Sequence, residues 1–79
     1  MTSGYDEARR FYLEQLKWIQ ERQRIYEEIE RLLHEMKAIA MEATDEDLTD
    51  SERDHLQMRM DEKKQTLLEK DEELAIRYH

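Results

Sequence analysis

Residues 25–56 decide the fold, and they read IYEEIERLLHEMKAIAMEATDEDLTDSERDHL. The first part of this stretch spaces its apolar residues in alternating steps of four and three, at Ile25, Ile29, Leu32, Met36, Ile39 and Ala43. This spacing is the a/d seam of a coiled coil. A second apolar line, Tyr26, Leu33 and Ala40, runs beside the seam and widens it. Such a wide stripe is typical of a bundle helix that touches two neighbours.

The apolar period stops at residues 44–47, which read TDED. Acidic side chains are unfavourable at the C-terminal end of a helix, because the helix dipole is negative there. Shortly afterwards, Thr49 and Glu52 have the spacing of a capping box, which indicates the start of another helix. The sequence therefore predicts a disordered leader at 1–4 and a single hairpin at 5–79, with a helix at about 5–43, a turn at about 44–50 and a helix at about 50–78.

The second helix has a thinner seam than the first. Its seam residues are Leu56, Met60, Leu67 and Leu74, with Lys63 and Lys70 at the alternate sites and with Leu68, Ile76 and Tyr78 off the line. Polar seam residues weaken a coiled coil but fix its register. The short connection makes the two helices antiparallel. The expected fold is thus all-α, an antiparallel two-helix hairpin that dimerises into a four-helix bundle.

Chain length and composition both favour a second chain. A chain of 79 residues rarely buries a sufficient core alone. It has no cysteine, so neither a disulfide nor a thiolate metal site can supply the missing stability. It also has no proline and one glycine, which disfavours turn-rich sheet folds. Because a hairpin covers only one side of each helix, we expect a homodimer to cover the rest of the wide stripe.

The net charge of −8 is unevenly distributed. Residues 1–43 hold 7 basic and 9 acidic residues, whereas residues 44–79 hold 6 basic and 12 acidic residues. Such a surface repels nucleic-acid phosphate and anionic membranes, and no apolar stretch approaches the roughly 20 residues of a membrane span. We therefore expect a soluble cytoplasmic protein that binds neither nucleic acid nor membrane. Besides a second copy, the expected partner is a protein with a basic or apolar groove.

The predicted helices differ in length. At about 1.5 Å per residue, the second helix folds back only to about Leu16, so residues 5–15 overhang with Trp18 at their edge. An aromatic cluster on a lone helix is typical of an interaction site. The predicted partner-binding residues are Tyr5, Phe11, Tyr12, Trp18, Ile25, Tyr26 and Leu33.

Candidate chemistry is sparse. His34 and His55 flank the turn, yet they lack the spacing of a zinc site. The segment 45–49 resembles the start of a calcium loop, but Asp50 stands where the loop needs glycine and Leu56 stands where it needs glutamate. Ser51, Asp54 and His55 are neighbours on one helix and offer neither a pocket nor an oxyanion hole. We expect no catalytic, cofactor-binding or metal-binding residues, and hence no enzyme.

Residues 32–61 resemble a known family. MKAIAMEA at 36–43, LTDSER at 48–53 and the LQ and MD pairs at 56–57 and 60–61 are similar to the N-terminal helical hairpin in the inner-tube domain of bacterial flagellin. The resemblance implies a hairpin that packs in a coiled-coil-like domain and against neighbouring subunits, without catalysis, and an extracellular location. The chain departs from the family at Lys63, where the family has an apolar residue, and in its aromatic N-terminal segment.

The function expected from these patterns is a non-enzymatic protein–protein interaction module, such as an adaptor, a chaperone or a small regulator. It would act through helical packing and through the aromatic N-terminal overhang. The resemblance gives one alternative, a structural subunit related to the flagellin hairpin. The acidic second half gives another, a DNA mimic that inhibits a nucleic-acid-binding protein by placing a row of carboxylates in its basic groove.

Overall fold

Two helices make up the architecture of the residues that the structure describes. The computed structural model describes residues 3–78, and within them the chain forms helix α1 (Gly4–Glu42), helix α2 (Asp50–Arg77) and no strand. The molecule is a rod of 72 × 17 × 16 Å. The prediction of an all-helical hairpin is confirmed, and the turn lies where the apolar period stops. Met1, Thr2 and His79 lie outside the described residues.

Helix α1 begins one residue earlier than predicted. The Ser3 hydroxyl oxygen accepts a hydrogen bond from the backbone N–H of Asp6 at 3.2 Å, so Ser3 is the N-cap and Gly4 is already helical. Asp6 and Glu7 stand in the first turn, where the positive end of the helix dipole favours acidic side chains. Of the leader predicted for residues 1–4, Ser3 and Gly4 therefore belong to the start of the helix.

The turn is held by hydrogen bonds to the end of α1. The Thr44 hydroxyl donates to the carbonyl of Met41 at 2.6 Å. The Arg53 guanidinium, on the first turns of α2, donates to the carbonyls of Ala43 at 3.2 Å and Asp45 at 2.9 Å. Since the last turn of α1 has no basic side chain of its own, Arg53 brings a positive charge to the negative end of the helix.

The capping box predicted from Thr49 and Glu52 starts α2. The Thr49 hydroxyl oxygen accepts from the backbone N–H of Glu52 at 3.1 Å, and the Glu52 carboxylate accepts from the backbone N–H of Thr49 at 3.4 Å. Two amides that have no partner inside the helix are thereby satisfied.

Replacing Thr49 by alanine is expected to lower the free energy of unfolding by about 0.5–2 kcal/mol, because the Glu52 amide loses its acceptor. Urea denaturation followed by circular dichroism measures the change. Ser51→Ala is the matched control, since Ser51 is exposed and makes no side-chain hydrogen bond among the described residues. A Thr49→Ala variant as stable as Ser51→Ala would show that the box does not stabilise the hairpin.

The helices are antiparallel and share a single line of core residues. Successive partners along α2 contact α1 in reverse order: Arg59 contacts Glu42, Lys63 contacts Glu35 and Lys70 contacts Glu28. The buried hydrophobic residues are Ile25, Leu32, Ile39, Leu56 and Tyr78. The three from α1 recur at every seventh position, as a coiled-coil seam requires.

Tyr78 belongs to this core, which corrects its predicted position off the seam. It is 7% exposed, its ring lies 5.6 Å from that of Trp18, and its hydroxyl donates to the Glu21 carboxylate at 3.1 Å. Burial, followed by the bond to Glu21, raises the pKa of Tyr78. Tyr78 follows Leu74 by four residues, a spacing that places two side chains on the same face of a helix. The sequence therefore contained a signal for this position.

Tyr78 also sets how far α2 reaches along α1. Trp18, expected at the edge of the uncovered segment, is partly covered by the Tyr78 ring and is 39% exposed. Residues 4–17 of α1 therefore have no neighbour from α2 among the described residues, and all of them are exposed. We call this segment the overhang, and we call the rest of the hairpin the body.

Candidate partner-binding surface

Two lines of residues flank the buried seam of α1 on opposite sides. From Ile25, Tyr26 lies about 100° around the helix in one direction and Glu28 about 60° in the other. Each begins a repeat of seven. The acidic flank comprises Glu21, Glu28, Glu35 and Glu42, and the apolar flank comprises Tyr5, Tyr12, Ile19, Tyr26, Leu33 and Ala40. The two flanks differ in what covers them.

The acidic flank pairs with α2. The Lys63 ammonium lies 2.7 Å from the Glu35 carboxylate, and that of Lys70 lies 2.8 Å from Glu28. The hydrogen bond from Lys70 is the main cause that holds the pKa of Glu28 below its usual value, and the bond from Lys63 does the same for the pKa of Glu35. The two lysines that interrupt the seam of α2 thus each pair with one particular glutamate of α1. These pairs fix the register of α2 against α1.

Acid is expected to destabilise the hairpin through these two pairs. Because the folded pKa values of Glu28 and Glu35 lie below 4.5, their stabilising contribution is present above that pH and is lost as the pH falls through the folded values. We expect the melting temperature of the wild type to drop below pH 4.5 more steeply than that of a Glu28→Gln, Glu35→Gln variant. Parallel pH profiles for the two proteins would contradict this assignment.

The side chains of the apolar flank are not paired with α2 as those of the acidic flank are. Its large side chains are between 44% exposed at Tyr26 and 77% exposed at Tyr5. From Tyr5 to Ala40 the line extends about 53 Å along the helix. It therefore runs along both the overhang and the body. A line of exposed apolar side chains of this extent is typical of an interaction site.

Two grooves between the helices open on the same side of the body. One, of about 270 Å³, is lined by residues that include Ala40, Gln57 and Met60. The other, also of about 270 Å³, is lined by residues that include Tyr26 and Leu74. The grooves lie at the two ends of the stretch of the apolar flank from Tyr26 to Ala40. They are open clefts against which an apolar side chain from another helix can pack.

Arg22 is held between aromatic rings at the end of the second groove. Its guanidinium carbon lies 5.9 Å from the centre of the Trp18 ring and 5.1 Å from that of Tyr26, within the range of cation–π attraction. One terminal nitrogen donates to the Tyr26 hydroxyl at 3.3 Å. Its Nε is buried without a hydrogen-bond partner among residues 3–78. The groove therefore ends at a fixed cation with one free donor.

The predicted partner-binding residues fall into three groups. Tyr5, Phe11 and Tyr12 are exposed on the overhang, and Tyr26 and Leu33 are exposed on the body. The Trp18 side chain is partly exposed and partly covered by the Tyr78 ring. Ile25 does not belong to this surface, because it is 2% exposed and faces α2.

Sequence reasoning missed Ile19, although a signal for it was present. Ile19 is 53% exposed and stands seven residues after Tyr12 and seven before Tyr26. It joins the overhang and body parts of the apolar flank into one line. Gln57, Asp71 and Ala75, which help to form the grooves, were also missed, whereas Met60 was predicted as a seam residue. Their role depends on the neighbouring helix, so no pattern within α2 indicates it.

The described residues offer no metal site and no membrane span. Within 3–78, no group of three or more histidine, cysteine, aspartate and glutamate side chains is placed to hold a metal ion. His34 and Glu30 form a pair on an exposed face, with the His34 ring 3.9 Å from the Glu30 carboxylate. Neither described helix contains an apolar run long enough to cross a membrane.

Comparisons with protein-family models, with curated proteins and with solved structures find no match to this chain. The resemblance of residues 32–61 to the flagellin hairpin stays a prediction.

Proposed function

We propose that the chain is a non-enzymatic protein–protein interaction module that acts by helix packing, as an adaptor, a chaperone or a small regulator. We propose further that its partner is a second copy, and that the four helices of the homodimer form a bundle. The observation that supports this proposal is the exposed apolar flank of α1, which extends from Tyr5 to Ala40.

The exposed apolar flank is comparable in size to the buried core of the hairpin. Burying one large apolar side chain contributes about 1.5–3 kcal/mol. Five large side chains of the apolar flank are exposed, whereas the whole core of the hairpin consists of five buried residues. Since small domains are stable by only about 5–15 kcal/mol, covering the flank would change the stability of the fold as a whole.

A second copy is the partner best suited to a flank of this form. A two-fold axis brings the same surface of two copies together, so the surface must be complementary to itself. A repeat of seven along a single helix meets that requirement, because it can pack against an identical repeat running in the opposite direction. The acidic flank remains engaged with α2 in this arrangement, so the hairpin keeps its own ion pairs.

Sedimentation equilibrium of the purified chain at micromolar concentration tests the proposal. We expect the mass of a dimer, because each copy carries the complete apolar flank. A monomer that is folded and melts cooperatively at that concentration would overturn self-association.

A further inference from the structure

We infer that the overhang of each copy docks along the apolar flank of the partner's body, beside Tyr26, Leu33 and Ala40, and that the two copies do this reciprocally. This inference rests on the proposed self-association and adds which segment binds where. The result is a staggered bundle with the two bodies at opposite ends. Four observations support it.

The first observation is a match in length. The N-terminal part of the apolar flank, from Tyr5 to Ile19, is about 21 Å long, and its remaining part, from Tyr26 to Ala40, also spans about 21 Å. The two grooves on the body lie at the two ends of that span. One overhang, together with Ile19 next to it, therefore covers the partner's apolar flank from Tyr26 to Ala40.

The second observation is the register of the repeats. When two α1 helices run antiparallel about an axis near Arg22, Tyr12 lies opposite the partner's Leu33, and Ile19 lies opposite the partner's Tyr26. Tyr5 then lies opposite the partner's Ala40, so that the most exposed ring of the line meets its smallest residue. Every member of the apolar flank thus finds an apolar partner in a single register.

The third observation is where α2 stops. Tyr78, which directly follows α2, contacts Trp18 and Glu21 near the same axis. Among the described residues, α2 therefore leaves residues 4–17 uncovered, about one third of α1, and the partner can lie along them. Phe11 continues the line of Trp18, Ile25, Leu32 and Ile39, of which the last three are buried, by one more step of seven, yet it is 64% exposed. In the staggered bundle, the partner's body lies beside Phe11.

The fourth observation is electrostatic. The overhang has no net charge, because it holds three acidic residues, Asp6, Glu7 and Glu14, and three basic residues, Arg9, Arg10 and Lys17. All of the net charge of −8 therefore lies beyond Lys17. Placing a neutral overhang on an acidic body avoids the repulsion that two bodies packed side by side would produce.

Disulfide trapping tests the register directly, because the natural chain contains no cysteine. In a Tyr12→Cys, Leu33→Cys variant, the two thiols of one chain stand about 32 Å apart along the helix. A disulfide needs Cα atoms within about 7 Å, so it can form only between chains. We expect mild oxidation to give a covalent dimer in high yield. A Tyr12→Cys, Met58→Cys variant is the control, since Met58 is exposed on α2 about 200° from the buried Leu56.

Mixing two damaged variants provides an independent test. Tyr12→Asp places a carboxylate in the overhang, and Leu33→Asp places one on the body's apolar flank. Each is expected to weaken self-association about 100-fold. An equimolar mixture restores one of the two reciprocal contacts, namely the intact overhang of one variant on the intact flank of the other. We therefore expect the mixture to associate at least ten-fold more tightly than either variant alone.

The outcomes separate this inference from the proposal on which it rests. A wild-type monomer would overturn both. A wild-type dimer that Tyr12→Asp leaves intact, and whose cysteines at 12 and 33 do not cross-link, would overturn the docking of the overhang but not self-association. Cross-linking of the Leu33→Cys single variant to itself would show pairing of the two bodies and would also overturn it.

Discussion

Replacing Leu32 by alanine is expected to lower the free energy of unfolding by about 2–5 kcal/mol, because it removes a buried side chain and leaves a cavity. Leu32 is 5% exposed and stands at the centre of the core line, between Ile25 and Ile39. A two-helix core has no other layer that can collapse into the space. Since small domains are stable by about 5–15 kcal/mol, the loss is a large share of the total. Urea denaturation followed by circular dichroism measures it.

Leu68→Ala is the matched control for this prediction. It makes the same chemical change on α2, but Leu68 is 62% exposed. Substitutions at such positions usually change stability by no more than about 0.5 kcal/mol. Equal losses at Leu32 and Leu68 would show that the line of Ile25, Leu32 and Ile39 is not the core.

Replacing Leu33 by aspartate is expected to convert the proposed dimer into a monomer at micromolar concentration. The two-fold axis introduces the change twice, and each copy loses the burial of one large side chain, about 1.5–3 kcal/mol. At about 1.4 kcal/mol for each factor of ten, the two losses together weaken association about 100-fold or more. A carboxylate that becomes buried without a partner adds a further cost. Sedimentation equilibrium measures the dissociation constant.

The hairpin itself should survive this substitution. Leu33 is 51% exposed in the single chain, so the aspartate stays in water when the dimer separates. Circular dichroism should therefore report a helical content close to that of the wild type. Met58→Asp places the same charge on a side chain of α2 that is 58% exposed and is expected to leave the dissociation constant unchanged. If Leu33→Asp dimerises as tightly as the wild type, the body's apolar flank is not part of the interface.

The helices and the turn were predictable because their causes are local. The seam of α1 is a repeat within one segment, and the capping box is a contact between Thr49 and Glu52, three residues apart. The predicted ends of both helices accordingly fall within one residue of the observed ends. Arg53 was not predictable in this way, because the carbonyls that it binds belong to Ala43 and Asp45, across the turn.

What the sequence by itself determined is that α1 carries two adjacent apolar lines, one through Ile25 and Leu32 and the other through Tyr26 and Leu33. Its a/d spacing already predicted that the line through Ile25 is the seam, and only the tertiary structure decided which side of that seam α2 covers. The physical reason lies on α2, where Lys63 and Lys70 need carboxylates, and Glu35 and Glu28 provide them on one side of the seam alone. Pairing there turns the line through Ile25 toward α2 and leaves the line through Tyr26 exposed, so the candidate surface exists because of contacts between residues far apart in the chain.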